Sequence, residues 1–423
     1  MKYPMDKLGS HIDILSGFAF KSSDFIGSGI PVIKIKNITP PSVTLEDLSF
    51  VSEEIAEQQT KFILNFDDVL IALTGSHINQ MASVVGRVAR VKYNVPSLLN
   101  QRVGKITVLN PAESNIDYIY YYLSQDSVKI KLASKAGGAA NQANISPTDI
   151  KNLIIPFPDI AIQNKIACIL SAYDNLIESN QKQIKLLEEA AQRLYKEWFI
   201  DLRFPGHEST PIHDGVPEGW ERKSVEECLQ MHINGGWGKE SPEAKNCIPG
   251  RVIRGTDIND VKAGNLNDIP LRYHTENDVR KKALRQEDII FELSNGNLAN
   301  IGRTLFVDDL LLQYCGNPTI CASFCKLFRP VDRLHALMLC WEIQDMQASS
   351  RMLPYKKHGA NGINNFDFDG FLQHELLIPV NLEFVKPFDL VMQKESVIQH
   401  ELMLLAEARD RLLPKLMSGE IEV

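Results

Sequence analysis

The 423-residue sequence has no run of about 18 apolar residues, which argues against a transmembrane helix and a membrane partner. Its N-terminus, Met1-Lys2-Tyr3-Pro4-Met5-Asp6, lacks an apolar signal core, so the expected location is the cytoplasm. Cysteine is sparse and odd in number, at seven, which without a secretory signal predicts reduced thiols. No Cys-x-x-Cys pair occurs, and the spacing of Cys315, Cys321 and Cys325 fits no common zinc site. These are expected as small core residues, the last two in one buried strand over 319–328, and no metal site is expected.

Catalytic motifs are missing as well. There is no Gly-x-x-x-x-Gly-Lys-Ser/Thr phosphate loop, no Gly-x-Ser-x-Gly and no His-Glu-x-x-His. The nearest string to an Asn-Pro-Pro-Tyr amino-methylation motif, Gly316-Asn-Pro-Thr319, lacks the second Pro and the aromatic. Asp67-Asp68 and Glu287-Asp288 each precede a short apolar run and fit a turn entering a strand better than a nuclease metal site. The chain therefore reads as non-catalytic, with no catalytic residues and no cofactor of its own.

Positive charge is in the minority, 45 basic against 53 acidic residues for a net charge of −8, which by itself weighs against a nucleic-acid partner. Distribution matters more than the total. Acid-free segments carry Arg87, Arg90, Lys92, Arg102 and Lys105 between Asp68 and Glu113, Lys135 between Asp126 and Asp149, and Lys356 and Lys357 within 346–366.

Two long helical patterns stand out. Ile162, Ile166, Ile169, Tyr173, Leu176, Asn180, Ile184, Leu187, Ala191, Leu194 and Trp198 follow one another in steps of three and four. This heptad seam, with one stutter near Asn180, predicts a helix over 160–198 that packs a narrow stripe against another helix. At about 1.5 Å per residue it would span roughly 55 Å. Asn180, a polar residue in the seam, is expected to fix register at some cost in stability. The second pattern covers 387–417 and places Phe388, Val391, Ile398, Leu402, Leu405, Leu412 and Leu416 at helical spacing, with Pro414 expected to end or kink the helix.

The segments between them repeat an order. Gln286-Glu-Asp-Ile-Ile-Phe291 mirrors Phe66-Asp-Asp-Val-Leu-Ile71, and Ile301-Gly-Arg-Thr-Leu-Phe-Val307 mirrors Val85-Gly-Arg-Val-Ala-Arg-Val91. A helix is expected over 116–135 and another over 334–352. Each precedes a Gly/Asn-rich loop (136–144 and 358–365) and a short apolar run ending in Pro, Leu153-Ile-Ile-Pro156 and Leu376-Leu-Ile-Pro379. The pattern predicts a duplicated chain, globular–helix–globular–helix.

Several phrases resemble the specificity subunits of type I restriction–modification systems. Leu15-Ser-Gly-Phe-Ala-Phe-Lys-Ser22 with Ile30-Pro-Val-Ile33 looks like the opening of a target-recognition domain in that family. Asn141-Gln-Ala-Asn-Ile-Ser146 and Gln163-Asn-Lys-Ile-Ala167 resemble its entry into a central helix. Leu194-Tyr-Lys-Glu-Trp-Phe-Ile-Asp-Leu-Arg-Phe-Pro-Gly206 with Gly215-Val-Pro-Glu-Gly-Trp220 resembles its inter-domain junction, and Ala408-Arg-Asp-Arg-Leu-Leu-Pro-Lys-Leu-Met-Ser-Gly-Glu-Ile421 its ending. The match departs at Ile162, where the family usually has Glu, and over 379–387.

The resemblance implies two α/β (α+β) globular recognition domains in tandem duplication, 1–158 and 205–383, separated by two long antiparallel coiled-coil helices, 159–204 and 384–423. It implies a DNA-specificity subunit whose domains each read half of a split, asymmetric double-stranded DNA site. The implied partners are two methyltransferase subunits and further restriction subunits, which would use S-adenosylmethionine, ATP and Mg. A coiled-coil adaptor with protein-binding α/β domains is the alternative, disfavoured by the basic acid-free segments.

Candidate DNA contacts combine glycine-rich backbone with side chains able to pair with base edges or phosphates. They are Arg87, Arg90, Lys92, Asn100, Gln101, Arg102, Lys105, Lys135, Asn141, Gln142 and Asn144 in the first half. In the second they are Asn295, Asn297, Arg303, Lys356, Lys357, Asn361 and Asn364. Helix–helix or partner docking is expected from Ile166, Ile169, Tyr173, Leu176, Asn180, Ile184, Leu187 and Leu194 with Val391, Ile398, Leu402, Leu405 and Leu412.

Overall fold

The structure, a computed structural model, describes residues 3–75, 84–134, 143–266, 268–316, 318–359 and 362–423. It divides into two units, Met1–Asn175 with Ala408–Val423, and Leu176–Glu407.

In the first unit a six-stranded sheet has the spatial order Ile12–Ser16, Val103–Val108, Val69–Ala72, Val88–Arg90, Ser42–Val43 and Ile38–Thr39. A four-stranded sheet runs Ser49–Val51, Ile30–Ile33, Ser97–Leu99 and Ile63–Leu64. Val69 to Ala72 reads as an unbroken apolar run because all four side chains are buried, as a central strand covered on both faces requires. The turn before it is built as expected. Asp67 takes a left-handed φ of 68°, and Asp68 Oδ2 accepts from the Asn65 amide at 2.7 Å and from Lys105 Nζ at 2.6 Å.

The helix expected over 116–135 is two helices, Ile116–Ser124 and Asp126–Ser134. Gln125 between them is extended, and its side-chain amide donates to the Tyr122 carbonyl at 3.1 Å, closing the first helix. Met5–Lys7 pairs antiparallel with Ile154–Pro156, which ties the start of the unit to the run that ends in proline.

The second unit repeats these registers. Ile289–Glu292 pairs with Cys325–Pro330 as Val69–Ala72 pairs with Val103–Val108, so that Glu292↔Cys325 stands where Ala72↔Val103 does. Glu287 has φ 72°, and Trp220–Ser224 pairs with Glu375–Pro379 as Met5–Lys7 does with Ile154–Pro156. The expected strand over 319–328 is two strands, Thr319–Cys321 and Cys325–Pro330, in different sheets and joined by the turn Ala322-Ser-Phe324. Cys321 and Cys325 are fully buried, and burial pushes the Cys321 thiol up to about 12, which keeps it an inert core group. Among the described residues no cluster of His, Cys, Asp or Glu could hold a metal ion. Nor is any helix among them long and apolar enough to cross a membrane.

The first long helix, Ile160–Tyr195, continues as a single π-helical turn, Lys196–Ile200. The second, Lys386–Ser418, does not end at Pro414 but continues through it. That proline withholds one amide only four residues from the helix end, where buried Leu416 and Met417 anchor the last turn in the first unit's core. In the first unit Ile166 and Leu170 join the cluster that contains Leu416 and Met417, and Arg409 Nη1 meets Asp174 at 2.9 Å. In the second, Ile184 packs with Ile398 and Leu402, and the Tyr195 and Phe388 ring centres lie 5.9 Å apart. Within each unit the two helices thus run in opposite senses.

One seam residue needs correction. Leu176 is 49% exposed, and Ile177 packs toward Ile184, Ile398 and Leu402 instead. Passing through Leu170, Tyr173, Ile177, Asn180 and Ile184, the seam keeps steps of three and four and has no stutter. Ile169, Tyr173, Leu187, Leu194, Val391, Leu405 and Leu412 are half-buried along the same helices.

Candidate nucleic-acid interface

Each unit places a tight turn beside a glycine that allows no side chain. In the first, Gly17 packs so close that an added Cβ would lie 2.3 Å from the Asn100 carbonyl oxygen; in the second, Gly235 would meet Ala322 O at 2.2 Å. The surrounding backbone bonds repeat as well. Phe18 N donates to Leu99 O and Leu73 N to Arg102 O, as Gly236 N does to Cys321 O and Leu293 N to Phe324 O. The candidate triplet Asn100, Gln101 and Arg102 is therefore the counterpart of Ala322, Ser323 and Phe324. Gln101 and Arg102 are exposed and Asn100 half-buried at the end of the strand Ser97–Leu99.

A short strand pair lies next in each unit. Thr74–Gly75 pairs with Ala143–Asn144, leaving Asn144 exposed. Lys135, Asn141 and Gln142, with the loop stretch His77-Ile-Asn-Gln80, lie outside the described residues, as does Asn361 in the second half. There the pair grows to three strands, Ser294–Asn295, Asn364–Phe366 and Lys356–Lys357 in that order. The fold so brings Asn295, Asn364, Lys356 and Lys357, four candidates scattered over more than sixty residues of sequence, onto one small sheet.

Their side chains are not equally available. Asn295 Nδ2 donates to Glu292 Oε1 at 2.7 Å, while its oxygen accepts from the Asn297 amide at 2.8 Å. Asn297 in turn caps the short helix Leu298–Asn300 through the Ala299 amide, and Asn364 Nδ2 donates to Gly296 O at 3.0 Å. Lys356 Nζ bonds Gln347 Oε1 at 2.9 Å. Lys357 is exposed but meets Asp367 at 2.9 Å.

Several basic candidates are held by carboxylates of this chain. Arg90 is 8% exposed, held between Asp67 at 3.1 Å and Asp117 at 2.5 Å with its guanidinium over the Tyr120 ring. Burial opposes its charge, but the two carboxylates outweigh that and raise its pKa. Lys92 pairs with Asp67 at 2.8 Å and Lys105 with Asp68 at 2.6 Å. Arg303 binds Glu292 and the Gly255 carbonyl. Arg90, Lys105 and Arg303 are corrected to structural residues: the acids that hold them come from the turn Asp67-Asp68, the helix Ile116–Ser124 and the strand Ile289–Glu292. Arg87 is half-buried.

The sequence reading missed a cleft of about 510 Å³ beside the three-stranded sheet, walled by Trp237, Arg254, Phe324 and Ile363 with Glu292 at its base. Trp237, Phe324 and Ile363 are 38, 61 and 46% exposed. Isolated aromatics in a Gly-rich string carry no periodicity, and the register of the two units is the signal that finds them.

Residues 4–189 match the family model described as the type I restriction modification DNA specificity domain. The MjaIX specificity subunit of Methanocaldococcus jannaschii is 25% identical over 330 residues, covering 73% of this chain and 69% of that protein. A putative MjaX specificity subunit from the same organism is 31% identical over 196 residues, covering 46% of this chain and 44% of its relative. The crystal structure of the S subunit of a type I restriction–modification system from M. genitalium has the same fold. Its TM-score is 0.55 at 16% identity, over 99% of this chain and 96% of that one.

Proposed function

We propose that the chain is a type I restriction–modification specificity subunit, the non-catalytic DNA reader of such a complex. Each unit reads one half of a split, asymmetric site in double-stranded DNA. The recurrence of one glycine-tightened turn, 100–102 and 322–324, beside a strand pair bearing asparagines carries this reading. Such positions let backbone approach DNA closely while side chains meet base edges.

In this reading the recognition domains span 1–158 and 205–383. The helices of 159–204 and 384–423 form an antiparallel coiled coil that sets the unread gap. They also dock two methyltransferase subunits, and restriction subunits join that assembly. Leu390, Val397 and Leu404 support the docking role: they lie seven residues apart on the C-terminal helix and are 65, 55 and 53% exposed. That spacing lines one apolar stripe apart from the buried seam residues Ile398 and Leu402. S-adenosylmethionine, ATP and Mg act in the partners.

The test is to purify the chain with its methyltransferase subunits and map methylated adenines in plasmid DNA. One split, two-part motif is the expected result, with DNA binding that weakens steeply as salt rises. An assembled, cofactor-loaded complex that methylates nothing would overturn the reading in favour of a protein-binding adaptor.

A further inference from the structure

The two units differ most where they correspond most closely. At the turn, Asn100, Gln101 and Arg102 of the first unit stand opposite Ala322, Ser323 and Phe324 of the second. Two residues beyond each tight glycine, Ala19 stands opposite Trp237. A polar turn in one unit is an apolar one in the other.

The polar groups at the cleft's base are already satisfied. Glu292, 1% exposed, occupies the register position of Ala72, and its carboxylate accepts from Asn295 Nδ2 at 2.7 Å and Arg303 Nε at 2.8 Å. Gly255 lies against it so closely that a Cβ would sit 2.1 Å from Glu292 Oε1. Arg254 is turned to Asp257, with Nη2 to Oδ1 at 2.6 Å. The Arg272 guanidinium lies 4.5 Å over the Trp237 ring and fixes it. Toward solvent the cleft presents Trp237, Phe324 and Ile363, with the exposed hydroxyls of Thr256 and Ser323 beside them.

Resting on the DNA-reading function above, we propose that the second unit reads its half-site by apolar contact, its Trp237–Phe324–Ile363 cleft taking the C5-methyl edges of thymines. Among the bases only thymine presents a methyl in the major groove, and aromatic or aliphatic side chains are its natural partners. At about 510 Å³ the cleft has room for the edges of more than one base. The first unit, with Arg102, Gln101 and Asn100 at the same turn, reads by hydrogen bonds. The two halves of the site are then recognised by different chemistry.

The experiment offers the chain, assembled with its methyltransferase subunits, two pools of random-sequence duplex. One pool contains thymine; in the other uracil replaces it, so that every hydrogen-bonding group is kept and only the methyl is lost. Sequencing the bound fraction should give a two-part motif from the thymine pool. The uracil pool should keep the first unit's half and lose the A·T positions of the other by roughly fivefold or more. Phe324→Ala and Trp237→Ala, made separately, should produce the same one-sided loss with the thymine pool; Phe324 is exposed enough to be removed without touching the core. A uracil pool that returns an unchanged two-part motif, or variants that select as the parent does, would overturn the inference while leaving the DNA-reading function standing. No motif from either pool would overturn both.

Discussion

Arg329 lays its guanidinium along the carboxylate of Asp288, Nε to Oδ1 at 2.8 Å and Nη2 to Oδ2 at 2.7 Å, with both side chains nearly buried. Asp288 Oδ2 also accepts from the Arg285 amide at 2.7 Å, so the same carboxylate closes the turn and neutralises the strand beside it. Asp288→Ala strands a buried cation and is expected to destabilise the second unit by about 3–5 kcal/mol. Denaturant unfolding followed by Trp fluorescence reads this directly, and a loss below about 1 kcal/mol would show the pair to be dispensable.

Arg90 and Arg102 lie in one acid-free stretch of sequence yet have opposite fates. Arg90→Ala should lower stability by about 1–2 kcal/mol, because it empties a buried place over the Tyr120 ring while Asp67 and Asp117, 43 and 37% exposed, stay hydrated. Arg102→Ala should leave the melting temperature unchanged and alter selection in one half-site only. A thermal melt and a methylation map of each variant separate the two roles; equal melting losses would contradict them.

Glu395 is a carboxyl in the helix seam of the second unit. Burial first, and then the Glu188 carboxylate, push its pKa from 4.5 up to about 8 against the pull of Lys262. Cys340, Gln344 and Asp308 line the same small cavity. Between pH 4.5 and about 8 the folded chain holds a proton that the unfolded chain has released. This group's contribution to stability therefore falls as pH rises through that window and levels off above it. Glu395→Gln should flatten the pH dependence and add on the order of 1–3 kcal/mol at pH 8. Parallel stability curves for the two proteins would refute this.

Asn180 is 7% exposed, and its Nδ2 finds no hydrogen-bond partner among the described residues. Asn180→Leu is expected to stabilise the chain by about 1–2 kcal/mol, since an unsatisfied amide is replaced by an apolar group. If the amide fixes register, the variant's methylation map should show more than one gap length. A single, unchanged gap would assign Asn180 no such role.

Much of this protein is set by local pattern. Steps of three and four placed both long helices, because a narrow buried stripe shows in sequence whatever it packs against. The turn Asp67-Asp68 and its counterpart Glu287-Asp288 were legible because a left-handed residue and a carboxylate that bonds its own turn are local devices. Pairing across space was not local, and there the tertiary structure decided. Arg90 and Lys105 have no acid near them in sequence but meet Asp117, Asp67 and Asp68 once helix and strands come together. Ile177 displaced Leu176 in the seam because two neighbouring apolar residues both fit a helical period and only the facing helix chooses between them. Trp237 and Phe324, 87 residues apart, became one cleft only when the strands fell into register. Periodicity is a property of one segment; proximity belongs to the whole fold.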